Sequence, residues 1–141
     1  MKKKYLIVTA NYYKDISKGL LESALKIIPK NNLIRVIKVP GVFEIPVTIS
    51  KNIKKYDGFL ALGCVIKGET PHFDFISDST TNAIMNLSIN YKKPIGNGII
   101  TCLNMRQAKV RKKKGAEAAD AVISILSQKW EFNLIQKITQ E

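Results

Sequence analysis

Apolar residues recur along this chain with two different periods. Four segments are continuous or alternating runs of apolar and β-branched residues, which predict strands: 4–10, 33–39, 56–66 and 94–103. Four other segments place apolar residues three and four positions apart, which predicts amphipathic helices: 14–28, 42–53, 70–91 and 115–132. The helix predicted at 42–53 contains Pro46, which must then lie in the first helical turn.

Predicted strands and helices alternate along the chain. This order favours an α/β fold in which a four-stranded parallel sheet is covered by helices on both faces, as a three-layer sandwich. Ligands of such folds bind beyond the carboxyl ends of the strands. The length of 141 residues suits one domain and no linker divides the chain, so we expect a single domain over 1–141.

The charge of the chain raises the question of a nucleic-acid partner. The formal net charge is +12, which would suit a basic nucleic-acid-binding module. The lysines are spread along the chain, however, and the one dense stretch, KVRKKKG at 109–115, has no interleaved aromatic residue. We therefore expect no nucleic-acid partner and keep such a module only as an alternative.

The remaining composition limits the protein class further. No apolar run reaches about 18 residues, so no membrane partner is expected. The apolar run after MKKK is too short for a signal peptide, which favours a first strand and a cytoplasmic protein. Cys64 and Cys102 form no Cys-x-x-Cys motif and His72 is the single histidine, so we expect no metal site and two free, buried cysteines.

Aromatic and polar residues follow the predicted strands, where a ligand would bind. Tyr12 and Tyr13 offer stacking faces for a planar ring, and Glu44 offers a carboxylate. The turn 68–70 (Gly-Glu-Thr) leads into the long predicted helix, whose first N–H groups form an anion site. Thr70 is a favourable N-cap, and Pro71 suits the first helical position.

His72 would then lie in the first turn of that helix. The helix dipole disfavours a positive charge there, which favours a neutral imidazole that can accept a proton. Histidines in such positions are more often ordinary surface residues, and tyrosines at strand ends more often pack. Arg111 and Lys114 could close over a phosphate. Together, the residues after the predicted strands indicate an α/β enzyme or binding protein for a planar ligand and a phosphate.

Four sequence blocks extend this interpretation. The chain resembles the 6,7-dimethyl-8-ribityllumazine synthase family over nearly its whole length, through VPGVFEIP (39–46), GCVIKGETPHFDFI (63–76), IGNGIITCLNMRQA (95–108) and KGAEAADAVISI (114–125). The resemblance implies a flavodoxin-like fold and a transferase of riboflavin biosynthesis. Its members condense 5-amino-6-(D-ribitylamino)uracil with 3,4-dihydroxy-2-butanone 4-phosphate to the lumazine, phosphate and water, and no cofactor is implied. A related archaeal-type riboflavin synthase of the same fold is the alternative.

The resemblance also implies roles for individual residues. His72 matches the proton-transfer histidine of the family. The positions implied to bind phosphate are Gly68, Glu69, Thr70 and Arg111. The positions implied to bind the ribitylaminouracil are Tyr12, Val42, Phe43, Glu44, Cys64, Val65, Ile66, Asn97 and Lys114. Of these, Asn97 and Lys114 would reach in from the adjacent subunit.

The chain departs from the commonest family pattern in three places. Asn11 replaces a frequent arginine, Asn97 replaces a frequent phenylalanine, and the link from Arg111 to Lys114 is several residues shorter than usual. The family's site lies between adjacent subunits of a five-fold ring, so we expect a homo-oligomer. Because cations crowd the shortened turn and would repel their symmetry copies, we expect a pentamer rather than a shell of about sixty subunits. Association with riboflavin synthase is left open.

Overall fold

Parallel strands and helices follow one another along the chain as the apolar pattern predicts. The computed structural model describes residues 2–128 and Ile138. Within that range the strands are β1 (Lys4–Ala10), β2 (Leu33–Val39), β3 (Gly58–Ile66) and β4 (Ile95–Cys102). The helices are α1 (Lys14–Leu25), α2 (Ile45–Asn52), α3 (His72–Tyr91), α4 (Met105–Lys109) and α5 (Lys114–Leu126), with a short 3₁₀ helix at Val42–Glu44.

The sheet has the order β2-β1-β3-β4, and every pairing is parallel. β3 is buried along its first eight residues, because helices cover both of its faces. β4 lies at one edge of the sheet and alternates between buried and more exposed residues. All carboxyl ends therefore meet along one edge of the fold, where a ligand site is expected.

Two apolar cores separate the three layers. On one face, Leu20 of α1 and Val122 of α5 belong to a buried cluster with Ile7 and Leu60 of the sheet. On the other face, α2 and α3 contribute residues such as Ile49 and Ile84 to a second cluster with residues of β1 and β3. The predicted three-layer α/β arrangement is thus confirmed.

Helix boundaries differ from the sequence prediction for local reasons. Residues 42–44 form a 3₁₀ turn, so α2 begins at Ile45 and Pro46 falls in its first turn, as required. α1 ends at Leu25 rather than residue 28. α4 was not predicted, and the predicted helix 115–132 is observed as α5 from Lys114 to Leu126. Residues 129–132 of that prediction lie outside the described residues.

The long helix α3 begins at His72 rather than at residue 70. Pro71, and not Thr70, occupies the N-cap, with backbone angles of φ −69 and ψ 5. The Thr70 hydroxyl instead accepts a long hydrogen bond of 3.4 Å from the His72 N–H. In the part of the chain that the structure describes, no helix is long and apolar enough to cross a membrane.

Candidate active site

A cleft of about 620 Å³ opens at the carboxyl ends of β1 and β3. It collects most of the residues that the sequence singled out, from four separate elements. Its lining comprises Tyr12, Tyr13, Gly41, Val42, Phe43, Glu44, Cys64, Val65, Ile66, His72 and Ile76. Ile76 was missed as a cleft residue, although its position one helical turn after His72 is a signal for it.

The two tyrosines stand where β1 passes into α1. The Asn11 N–H donates to the Val39 carbonyl at 2.8 Å, which extends the β1–β2 pairing by one residue. The Ser17 hydroxyl donates to the Ala10 carbonyl and ties the start of α1 to the end of the strand. The Tyr12 and Tyr13 rings meet edge to face, with centroids 4.8 Å apart. Tyr12 is 75% exposed, so its ring can offer a face to a planar ligand.

The 3₁₀ turn brings Phe43 and Glu44 over the end of β3. A Cβ at Gly63 would come within 2.6 Å of Val42 Cγ1, so only glycine lets the turn approach the strand this closely. The Glu44 carbonyl accepts a hydrogen bond of 2.8 Å from the Thr48 hydroxyl, which joins the turn to α2. The Glu44 side chain is half-buried and lines the cleft, where a carboxylate can accept hydrogen bonds from hydroxyl and N–H groups.

His72 lies at the cleft edge as the first residue of α3. The turn of Gly68, Glu69 and Thr70 immediately precedes it and is exposed. These three residues do not line the cleft themselves, but they lead directly into the helix start beside it. The placement puts an imidazole next to a helix N-terminus, which is a combination suited to proton transfer beside a bound anion.

Cys64 and Cys102 are free and buried on adjacent strands. Burial, with a smaller contribution from Cys102, raises the pKa of the Cys64 thiol to about 12. This thiol therefore stays protonated at neutral pH, so Cys64 contributes to the lining of the cleft and is not a nucleophile. Desolvation also raises the pKa of Tyr13, with smaller contributions from Tyr12 and Cys64, so its phenol stays neutral as well.

Asn97, Arg111 and Lys114 lie together in a second groove of about 570 Å³. This groove runs along the edge strand β4 and the start of α5, so these three residues are not among those that line the cleft with His72. The Arg111 guanidinium donates to the Thr101 carbonyl at 3.2 Å. The Asn97 side chain accepts from the Ile99 N–H at 3.0 Å, and Lys114 makes an exposed ion pair of 3.6 Å with Glu117.

The fold and the cleft together define a class. This is a three-layer α/β protein with a binding cleft at the carboxyl ends of its strands, equipped with an aromatic face, a carboxylate and an imidazole at a helix start.

Comparison with known proteins identifies the family within this class. The family model described as 6,7-dimethyl-8-ribityllumazine synthase matches residues 2–129. A 6,7-dimethyl-8-ribityllumazine synthase of Bartonella henselae is 42% identical over 142 residues, covering 94% of this chain and 92% of the relative. Proteins with the same name from Bartonella bacilliformis and Agrobacterium fabrum are 40% and 41% identical, each over 137 residues, with 90% and 88% of this chain and 90% and 93% of the relatives covered. The chain belongs to the 6,7-dimethyl-8-ribityllumazine synthase family.

Proposed function

We propose that this chain is a transferase that forms 6,7-dimethyl-8-ribityllumazine in the cleft at the ends of β1 and β3. It condenses 5-amino-6-(D-ribitylamino)uracil with 3,4-dihydroxy-2-butanone 4-phosphate and releases phosphate and water. The observation that carries the proposal is the convergence of Tyr12, Glu44 and His72 on one cleft. Family membership supports the same reaction.

The cleft suits the ribitylaminouracil. The exposed ring of Tyr12 would stack on the pyrimidine, and Glu44 would accept hydrogen bonds from its hydroxyl or N–H groups. The 3₁₀ turn at Val42–Glu44 would hold the ribityl chain, and the ends of β3 at Val65 and Ile66 would line the ring. Most of the reaction's demand is positioning of two substrates, which a preformed cleft provides.

His72 supplies the proton transfers in this proposal. The 5-amino group attacks the ketone and water leaves, which gives an imine. Loss of a proton from the carbon next to the imine then allows the C–O bond to phosphate to break. Loss of phosphate leaves an enol, which gains a proton at its terminal carbon and becomes a ketone. The ribitylamino nitrogen finally attacks this new carbonyl, and water leaves as the ring closes. Each step moves a proton at a substrate atom that would lie near the helix start of α3.

The complete site would require a second copy of the chain. Asn97, Arg111 and Lys114 line a groove at the open edge of the sheet, while His72 and Tyr12 line the cleft. A head-to-tail ring would set the groove of one copy against the cleft of the next, because one patch meets a different patch in such a ring. The cations of the groove would then face the phosphate beside the 68–70 turn.

Helix α3 supports the assembly part of this proposal. It has 20 residues, of which Thr80 and Ile84 are buried. Its outward side carries Phe75, Met85 and Ile89, which are 66%, 57% and 64% exposed. An apolar stripe of this kind is typical of a surface that is covered in an oligomer. We therefore propose a homo-oligomer, and specifically a pentamer with sites between adjacent subunits.

A pentamer is proposed over a larger shell because of the charges before α5. Lys109, Arg111, Lys112, Lys113 and Lys114 crowd a short segment, and like charges repel across a shared symmetry axis. Sedimentation at physiological salt tests this directly. A species of about five chains supports the proposal, and one of about sixty contradicts it.

Formation of the lumazine from the two substrates is the test of the proposed activity. The product is followed by its fluorescence with purified protein, and riboflavin formation from the lumazine alone is followed in parallel. Product in the first assay supports the proposal, while riboflavin formed only in the second would indicate the archaeal-type riboflavin synthase instead.

The two free cysteines fit the reducing cytoplasm in which we place the protein.

Arg111→Lys tests the proposed phosphate contact. Lysine keeps the charge but loses the planar fork that binds a phosphate through two N–H groups. We expect the KM for the butanone phosphate to rise about tenfold, equivalent to the loss of one charge-assisted hydrogen bond. A rise in the KM for the ribitylaminouracil instead would contradict the assignment of Arg111 to phosphate.

A further inference from the structure

The segment from Thr101 to Arg111 closes on itself. Arg111 Nη1 donates to the Thr101 carbonyl at 3.2 Å, ten positions earlier in the chain, and lies 3.8 Å from Cys102 Sγ. The Arg111 N–H also donates to the Ala108 carbonyl at 3.2 Å. The position of the guanidinium therefore depends on the path that the intervening residues take.

Two side-chain hydrogen bonds fix that path at the start of α4. The Asn104 side-chain oxygen accepts from the Gln107 N–H at 3.0 Å. The Gln107 side-chain oxygen accepts in return from the Leu103 N–H at 2.8 Å. This is a reciprocal cap in which the glutamine reaches the residue before the N-cap, and it satisfies two N–H groups at once.

The helix that follows this cap would not be stable in isolation. α4 has five residues, Met105–Lys109, which is far below the length at which a helix is stable alone. Ala108 is 1% exposed and anchors the helix in the core, while the cap holds its beginning. With both ends fixed, the chain emerges from α4 directed back to Thr101.

We propose that Asn104 and Gln107 are positioning residues for Arg111. They order the loop before substrate arrives, so that the guanidinium already rests against Thr101 in the groove that also contains Asn97 and Lys114. One guanidinium nitrogen holds the carbonyl, and a guanidinium has five N–H donors, so donors remain for a phosphate. The inference rests on the proposed function, in which Arg111 binds the phosphate of the butanone substrate.

Prior ordering matters because an arginine side chain loses much rotamer freedom when it binds. If the loop is ordered in advance, less of that loss falls on the binding step. If the cap is removed, only part of the population has Arg111 in place, and the apparent affinity falls by that fraction. The consequence is specific to the phosphorylated substrate, since the capped loop does not line the cleft that would hold the ribitylaminouracil.

The test compares variants of the cap with a matched substitution elsewhere. Asn104→Ala and Gln107→Ala should each raise the KM for the butanone phosphate about fivefold, as loss of a helix cap predicts. Both kcat and the KM for the ribitylaminouracil should stay within about twofold. Asn104→Ser, which can still cap, should remain near the unsubstituted protein. The control is Asn52→Ala, which removes a 2.8 Å bond to the Thr48 carbonyl in α2.

The outcomes separate this inference from the function on which it rests. If Arg111→Lys raises the KM for the butanone phosphate but Asn104→Ala behaves like Asn52→Ala, the positioning role is refuted and the proposed function stands. If Arg111→Lys leaves that KM unchanged, the phosphate role fails and the inference fails with it. A fall in kcat together with a rise in both KM values and a lowered melting temperature would show a general structural role. That result would also refute the inference.

Discussion

The two helical layers of this protein differ in how completely one chain covers them. On one face, α1 and α5 pack so closely that a Cβ at Gly115 would overlap the backbone of Leu20. On the other face, α3 buries two of its 20 residues and exposes Phe75, Met85 and Ile89. Among the described residues the first layer is closely packed where α1 meets α5, whereas the outer side of α3 leaves an apolar stripe exposed.

The difference suggests where packing dominates and where a partner copy is expected. The inner side of the tight layer carries small and apolar residues such as Ala118, Ala119 and Val122, which pack in the core. In the open layer, α3 begins with His72 at the cleft, and its outer stripe is exposed among the described residues. Substitutions in the core of the first layer should change stability, and substitutions on the outer side of α3 should change assembly.

The largest expected effect is that of Gly115→Ala on stability. The added methyl group would meet the Leu20 backbone, which cannot move without separating α1 from α5. Overpacking of this kind should lower the free energy of unfolding by about 3 kcal/mol. Urea unfolding measures it, with Gly68→Ala as the control because a Cβ there meets nothing within 4 Å. Equal midpoints for the two variants would contradict the tight contact between Gly115 and Leu20.

His72→Ala should lower turnover while leaving stability unchanged. His72 is exposed at the start of α3, so its removal opens no cavity. Loss of general acid–base help should reduce kcat by roughly 10²-fold or less. Steady-state lumazine formation at saturating substrates, together with thermal unfolding, measures both effects. Unchanged kcat would contradict the proton-transfer role.

Ile89→Asp should weaken assembly. The residue is 64% exposed in one chain, and in the proposed oligomer it would be covered, so a carboxylate there would be buried without a partner. We expect dissociation of the oligomer and a loss of activity at low protein concentration. Ile125→Asp on α5 provides the comparison, since Ile125 is also an exposed isoleucine but lies in the layer of α1 and α5. Sedimentation of both variants decides whether the open layer alone carries the contact.

The smallest expected effect concerns the end of α3. Lys92 has a φ of 55, which is the left-handed conformation that favours glycine at a helix C-terminus. Lys92→Gly should raise the free energy of unfolding by about 0.5 to 1 kcal/mol. Lys92→Ala removes the same charge without relieving the backbone, so it should bring no gain. A similar gain in both variants would assign the effect to charge instead.

The sequence predicts the sheet and most of the cleft because both depend on local patterns. β3 is a continuous apolar run, and Tyr12, Glu44 and His72 each follow a predicted strand. Because β2, β1 and β3 are adjacent and parallel, their carboxyl ends bring these residues to one side of the sheet. The first turn of α2 was also predictable, because Pro46 tolerates few other positions.

The other features of the structure depend on tertiary contacts, which the hydrophobic periodicity of the sequence does not encode. The position of Arg111 in the groove along β4, and not among the residues that line the cleft, follows from tertiary packing. α4 is too short for a periodic signal, although the Asn104-x-x-Gln107 spacing of a cap was present in the sequence. The one-residue shift of the α3 cap from Thr70 to Pro71 lies within the ordinary error of helix boundaries.

The central claim, that the site forms between two copies, is tested most directly by mixing two variants of low activity. His72→Ala keeps the Arg111 groove, and Arg111→Ala keeps the His72 cleft. After the two purified variants are unfolded together and refolded as mixed oligomers, about a quarter of the interfaces should pair an intact cleft with an intact groove. The account predicts recovery of lumazine synthesis to roughly that fraction of the unsubstituted activity. Activity no higher than that of the separately refolded variants would contradict it, because both residues would then serve a site within one chain.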